Sequence, residues 1–277
     1  VKRRGYSLAE LLVALVIAGA IGVSLSKLVI SQARFLGTQQ GMMAARSGAR
    51  AGLNVMVQEL HMITPGGVIA ANRDSVTVRV PFAFGVTCIQ PAGGSQAIAV
   101  FPYDSATYAS ATASGYAYKD STGTWQFKEP LTAVAAGVAS DCTSGLAQPV
   151  TVLTNGKIVR LSPNVVGTKV GYPAYLYQKV RYAFATSAQL TGRRALWRTL
   201  IDTGERDEMV APFDTSSHFS FLTGNNLTAS TSVPAVLDSL RGVKVRLVGQ
   251  SENAPEGRTA VSSFDLTTNI VFVNRAP

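Results

Sequence analysis

Lys2-Arg3-Arg4-Gly5-Tyr6-Ser7-Leu8-Ala9-Glu10-Leu11-Leu12-Val13-Ala14-Leu15-Val16-Ile17 places three cations, a glycine and one carboxylate in front of a run with no further charge until Lys27. From Tyr6 to Ser26 there are 21 residues, and as a helix they reach about 31 Å, the depth of a bilayer's hydrocarbon core. Glu10 is the anomaly. An ionisable group inside such a span costs roughly 2.5 to 3.5 kcal/mol on insertion scales and is seldom kept without a partner. No cation follows it within one helical turn.

A cut between Gly5 and Tyr6 would create that partner. It frees an α-amino group four residues before Glu10 and removes Lys2, Arg3 and Arg4. The basic leader ending in Gly5, the junction before Tyr6, Glu10 and the Leu-Leu-Val-Ala-Leu run together resemble the class III signal of type IV pilins and type II secretion pseudopilins. The resemblance implies cleavage after Gly5 by a prepilin peptidase, N-methylation of Tyr6, and pairing of Glu10 with the amine of an adjacent subunit during assembly. Tyr6 stands where that family usually carries phenylalanine or methionine. An ordinary secretory signal, cut near Ala18-Gly19-Ala20, or a plain single-span anchor would also begin with cations and an apolar run. Neither gives Gly5 and Glu10 a role.

The remaining composition is that of a folded chain, and its export is implied by the cysteine pair and the resemblance. The chain has 277 residues, 47% hydrophobic and 15% charged, ample for a sizeable core. Its formal charge of +9 falls to +6 once Lys2, Arg3 and Arg4 are removed. A basic surface is compatible with nucleic acid or anionic lipid without selecting either. Cys88 and Cys142 have no second cysteine or histidine at zinc-ligand spacing, so a disulfide is expected if the head is exported. In the chain-entropy account it stabilises by about 4 kcal/mol. Charge does not orient the span, because Lys27, Arg34 and Arg46 follow it as Lys2, Arg3 and Arg4 precede it.

Beyond Lys27 the apolar residues Ala49, Leu53, Met56, Val57, Leu60 and Ile63 recur at helical spacing with Arg46, Arg50, Asn54, Gln58 and His61 between them. That face should pack on a sheet, and Thr64-Pro65-Gly66-Gly67 should end the helix. The pattern then alternates in Ser75–Val80, Gln178–Phe184 and Val243–Val248, which predicts half-buried antiparallel strands. Val150–Thr154 and Lys157–Leu161 flank Asn155-Gly156 and predict a hairpin with a type I′ turn. Loops are expected over Asp104–Gly115, Gly224–Ser232 and Gln250–Gly257, and a closing strand over Phe264–Val273. The expected fold is α+β: leader 1–5, membrane and assembly helix 6–26, amphipathic helix 27–63, and an exported β-rich head 64–277. This order of features, with Val180-Arg181-Tyr182 central and Leu196-Trp197-Arg198 following, is similar to PilW-like and J-type minor subunits.

Catalysis is not expected. His61 and His218 are the only histidines, and no nucleophile-elbow, phosphate-loop or zinc-protease pattern is present. Asp202, Glu205, Asp207 and Glu208 could offer oxygen ligands to calcium, but EF-hand spacing is missing and a solvated loop is favoured; no metal or cofactor is expected. Arg193, Arg194 and Arg198 around Trp197 could grip nucleic acid, yet strand alternation sends Trp197 and Arg198 to opposite faces. The expected function is therefore that of a minor subunit priming or capping a type IV pilus. The alternatives are a J-type pseudopilin of type II secretion and a DNA-uptake receptor. Expected partners are other pilins or pseudopilins, the prepilin peptidase and the bacterial inner membrane, with the head in the periplasm or at the cell surface.

Overall fold

Leu8–Leu60 forms one unbroken helix, α1, in the computed structural model, which describes residues 7–88, 96–143, 149–164 and 169–272. The two expected helical segments thus join without a break. Gly19, Gly22 and Gly37 are carried within it, with open space around each. The helix ends three residues before Ile63: His61 caps it, and Gly66 turns the chain with φ +78. Ile63 is still buried, delivered by the turn after the cap.

Among the described residues fourteen antiparallel strands follow: β1 (Val68–Asn72), β2 (Ser75–Thr87), β3 (Gln96–Val100), β4 (Gly115–Lys119), β5 (Trp125–Lys128), β6 (Ala133–Ala136), β7 (Lys157–Ser162), β8 (Pro173–Thr186), β9 (Arg194–Leu200), β10 (Arg206–Phe213), β11 (His218–Thr223), β12 (Thr228–Ser230), β13 (Leu240–Gln250) and β14 (Ser263–Val271). They form one sheet ordered β12-β11-β13-β10-β9-β8-β2-β3-β7-β6, with β14 beside β13, β1 beside β2, and β4 between β8 and β5. The chain is therefore α+β, a long apolar N-terminal helix packed on an antiparallel sheet, compatible with a pilin-like shape.

Only the second half of α1 meets the sheet. Ala45, Ala49, Gly52, Met56 and Leu60 are buried at steps of three and four, the spacing that lines up one helical face. Small residues let the backbones approach closely. A Cβ on Gly249 of β13 would lie 2.3 Å from the Ala45 carbonyl oxygen. Below the helix, Val76, Val78, Val180, Tyr182, Phe219, Val243 and Val245 form the main core. The register of β2 shifts between Pro81 and Ala83, as expected where proline cannot serve the ladder. Past that bulge Ala83, Ile98, Tyr116, Val159, Leu161 and Leu176 build a second core.

One expected hairpin fails. Asn155 does adopt φ 67, and Gly156 N–H donates to Leu153 at 2.8 Å, but 150–154 is not a strand. The reason is competition: β7 already pairs with β3 on one edge and β6 on the other, so neither edge is left for 150–154. The expected loops also hold a short helix, α2 (Ser105–Ser110), and the strand β12. The closing strand runs Ser263–Val271, while Val273, Asn274 and Arg275 lie outside the described residues.

Candidate assembly surface

The N-terminal half of α1 is an apolar surface with nothing of its own chain upon it among the described residues. Leu11, Leu12, Leu15, Val16, Ile17 and Ile21 are all exposed, and the apolar window is long enough to cross a membrane with none of it buried against the head. Exposure does not stop at Ser26. Leu28, Val29, Ile30, Phe35, Leu36, Met42 and Met43 continue it toward the point where Ala45 docks.

Polar groups within this stretch are satisfied internally. Ser24 and Ser26 hydroxyls each donate to the carbonyl four residues back, Ala20 and Gly22, at 2.9 Å, as side chains do where no water is available. Glu10 closes a capping box. Ser7 N–H and hydroxyl donate to Glu10 Oε2 at 2.9 and 3.2 Å, and Glu10 N–H donates to Ser7 Oγ at 3.3 Å. The Ser7-x-x-Glu10 spacing is the sequence signature of that box, and sequence reasoning passed over it. Gly5 and Tyr6, the expected cleavage and methylation residues, lie outside the described residues. A comparison with protein-family models, with curated proteins and with solved structures finds no match.

Cys88 and Cys142 are bridged. The bridge fastens the end of β2 to a short helix, α3 (Ser140–Thr143). Beside it Arg160 donates to both oxygens of Asp141 at 2.7 and 2.6 Å, and Val138 N–H donates to the same carboxylate at 2.9 Å. The Arg160 guanidinium holds the Asp141 carboxyl below the usual carboxylate range.

The other singled-out residues are not brought together. His61 sits exposed at the helix cap, whereas His218 opens β11 with Nδ1 2.7 Å from the Ser216 carbonyl. Asp202 pairs with Lys179 at 2.8 Å, and Glu208 turns away to accept from Ser187 and Ala188. Among the described residues no three His, Cys, Asp or Glu side chains converge as a metal site. Arg193 reaches Gln250, Arg194 reaches Asp74, and Arg198 reaches Glu59. Trp197 is buried and lies under the Arg206 guanidinium, 3.8 Å from the ring centroid.

Two networks were invisible in the sequence. Glu59 of α1 accepts from the Tyr182 hydroxyl and pairs with Arg198 at 3.0 Å, tying helix to sheet across residues far apart in the chain. Glu129 accepts from Arg79 at 2.6 Å and Tyr177 at 3.0 Å. Burial pushes the Glu129 carboxyl up, but Arg79, Tyr177 and Lys179 together outweigh it and leave the carboxyl below its usual range.

Proposed function

We propose that the chain is a minor subunit of a type IV pilus-like assembly, acting by helix packing rather than by catalysis. In this reading a prepilin peptidase cuts between Gly5 and Tyr6, Tyr6 becomes the methylated N-terminus, and α1 anchors the subunit in a bacterial inner membrane with the head exported. Glu10 then pairs with a neighbouring subunit's amine. The observation that carries the reading is the apolar face of α1, which stays exposed past the length of a membrane span. A plain anchor needs no such extension; packing among other subunits' helices covers it.

The head supports a low copy number. Residues 64–277 are bulky beside the narrow spacing that packed helices impose, so the subunit fits a priming or tip position better than a repeated place in a thin shaft. The test has two parts. Intact mass of the membrane-extracted protein should start at Tyr6, and Glu10→Ala should leave insertion and processing intact while impairing incorporation. A mature N-terminus near Ile21, or normal incorporation of Glu10→Ala, overturns the reading.

A further inference from the structure

We propose that the open edge of β6 accepts an extended strand from the head of a different subunit, a contact separate from helix packing that rests on the assembly reading above. β6 ends the sheet. Its inner side pairs with β7, from Ala133 opposite Ser162 to Ala136 opposite Val159, and Gly137 N–H continues the ladder to Ile158 O at 2.8 Å. With Gly137 donating inward, antiparallel alternation turns the N–H and C=O groups of Val134 and Ala136 outward. Among the described residues no strand pairs with that outer side, and all four residues of β6 are exposed, Val134 at 46%.

Edges of this kind are normally defended by a charge, a proline or a bulge. β5 carries Lys128, and β14 carries Asp265 held by Arg246. β6 carries neither charge nor proline, and none occurs between Leu131 and Ser140. The edge is also rigidly backed. A side chain on Gly137 would meet Ile158 at 2.4 Å, and Asp141, clamped by Arg160, receives the N–H of Val138. An edge held in place before binding loses little freedom when a strand docks.

The edge's own chemistry names its occupant. A row of alternating N–H and C=O groups is completed only by another extended backbone. Val134 and the 51% exposed Val138 ask for apolar side chains opposite them. Lys157, exposed at the start of β7 on the same end, makes no ion pair among the described residues, which favours a carboxylate on the incoming strand. A second copy is disfavoured because both heads would be basic, residues 64–277 carrying 18 Lys and Arg against 14 Asp and Glu. The occupant is therefore a strand of an acidic subunit, apolar opposite Val134 and Val138 and carrying a carboxylate toward Lys157.

Amide hydrogen exchange tests this on the tagged full chain, alone in detergent and within the assembly extracted in the same detergent. Exchange at Val134 and Ala136 should slow by about tenfold or more in the assembly. Val134→Pro, which removes only an outward N–H, should abolish the slowing at Ala136 while processing and the Tm of the purified chain stay unchanged. Equal exchange in both samples overturns the proposal, whatever Glu10→Ala does to incorporation. Slowing that arises in the purified chain as it self-associates, read by sedimentation, overturns the choice of a different subunit.

Discussion

Gly249→Ala should loosen the helix from the sheet. The added Cβ would stand 2.3 Å from the Ala45 carbonyl oxygen, 3.2 Å from its carbon and 3.3 Å from Ala49 Cβ, whereas ordinary contact begins at 3.4 Å. The obstacle is backbone, so no side chain can swing aside, and α1 must lift by about 1 Å at Ala45 or β13 must give way. Lifting also thins the contacts of Gly52 with Leu196 and Phe213. Overpacking of this kind costs about 1 to 3 kcal/mol, and a backbone obstacle argues for the upper end. At roughly 2 to 4 °C per kcal/mol for a domain of this size, Tm should fall by about 6 to 12 °C. Thermal unfolding of the full chain in detergent reads this directly. Gly37→Ala is the matched control, because nothing lies within 4 Å of its added Cβ, and it should hold or slightly raise stability. A Gly249→Ala Tm within about 1 °C of the parent refutes the close-approach argument.

Three further outcomes follow from the same contacts. Glu59→Ala leaves Arg198 and the Tyr182 hydroxyl without their shared partner; with side chains 22% and 18% exposed for Glu59 and Arg198, the loss should be about 2 kcal/mol, below that of a fully buried pair, and a double-mutant cycle with Arg198→Ala should show coupling rather than additivity. The Asp141 carboxyl is held low by Arg160, so its contribution is fully present above the unfolded value of about 3.9 and lost as pH falls through the folded value; Asp141→Asn should be less stable than the parent near neutrality and converge with it in acid. Alkylation without reduction should leave both Cys88 and Cys142 unlabelled in protein taken from the envelope, and two labelled thiols in folded protein would contradict the bridge.

What could be read in advance divides along physical lines. The docking face of α1 was legible because Ala49, Met56 and Leu60 repeat at a helix's own period and are all buried. The cores of β2, β8 and β13 were legible because one face alternates with the other. The full lengths of β2 and β8 were not, since Pro81 interrupts the pattern and beyond it residues on both faces pack. β6 escaped notice because a run of alanines has little strand preference and is held by its ladder to β7. Asn155-Gly156 misled for a different reason: the turn signal was sound, but strand pairing depends on which edges are vacant, and that is settled by β3 and β6. Glu59 and Arg198 lie 139 residues apart, beyond the reach of any local pattern.

Glu10 shows how local and collective demands meet in one side chain. In the single subunit it already receives Ser7 N–H and hydroxyl, so the carboxylate enters α1 as a capped end rather than a bare charge. A capping interaction of this type is worth about 1 kcal/mol, and a charge-assisted hydrogen bond to an amine roughly 1.5 to 3 kcal/mol. Under the assembly reading, exchanging one for the other therefore gains only about 0.5 to 2 kcal/mol, too little to hold subunits together. The cohesive term must come from the exposed apolar face that runs from Leu11 to Met43. Packed helices can slide past one another with small changes in apolar contact, whereas a carboxylate and an amine meet at one axial offset only. Under the proposed assembly, the charge pair would set the register of neighbouring helices and the apolar face would supply the adhesion.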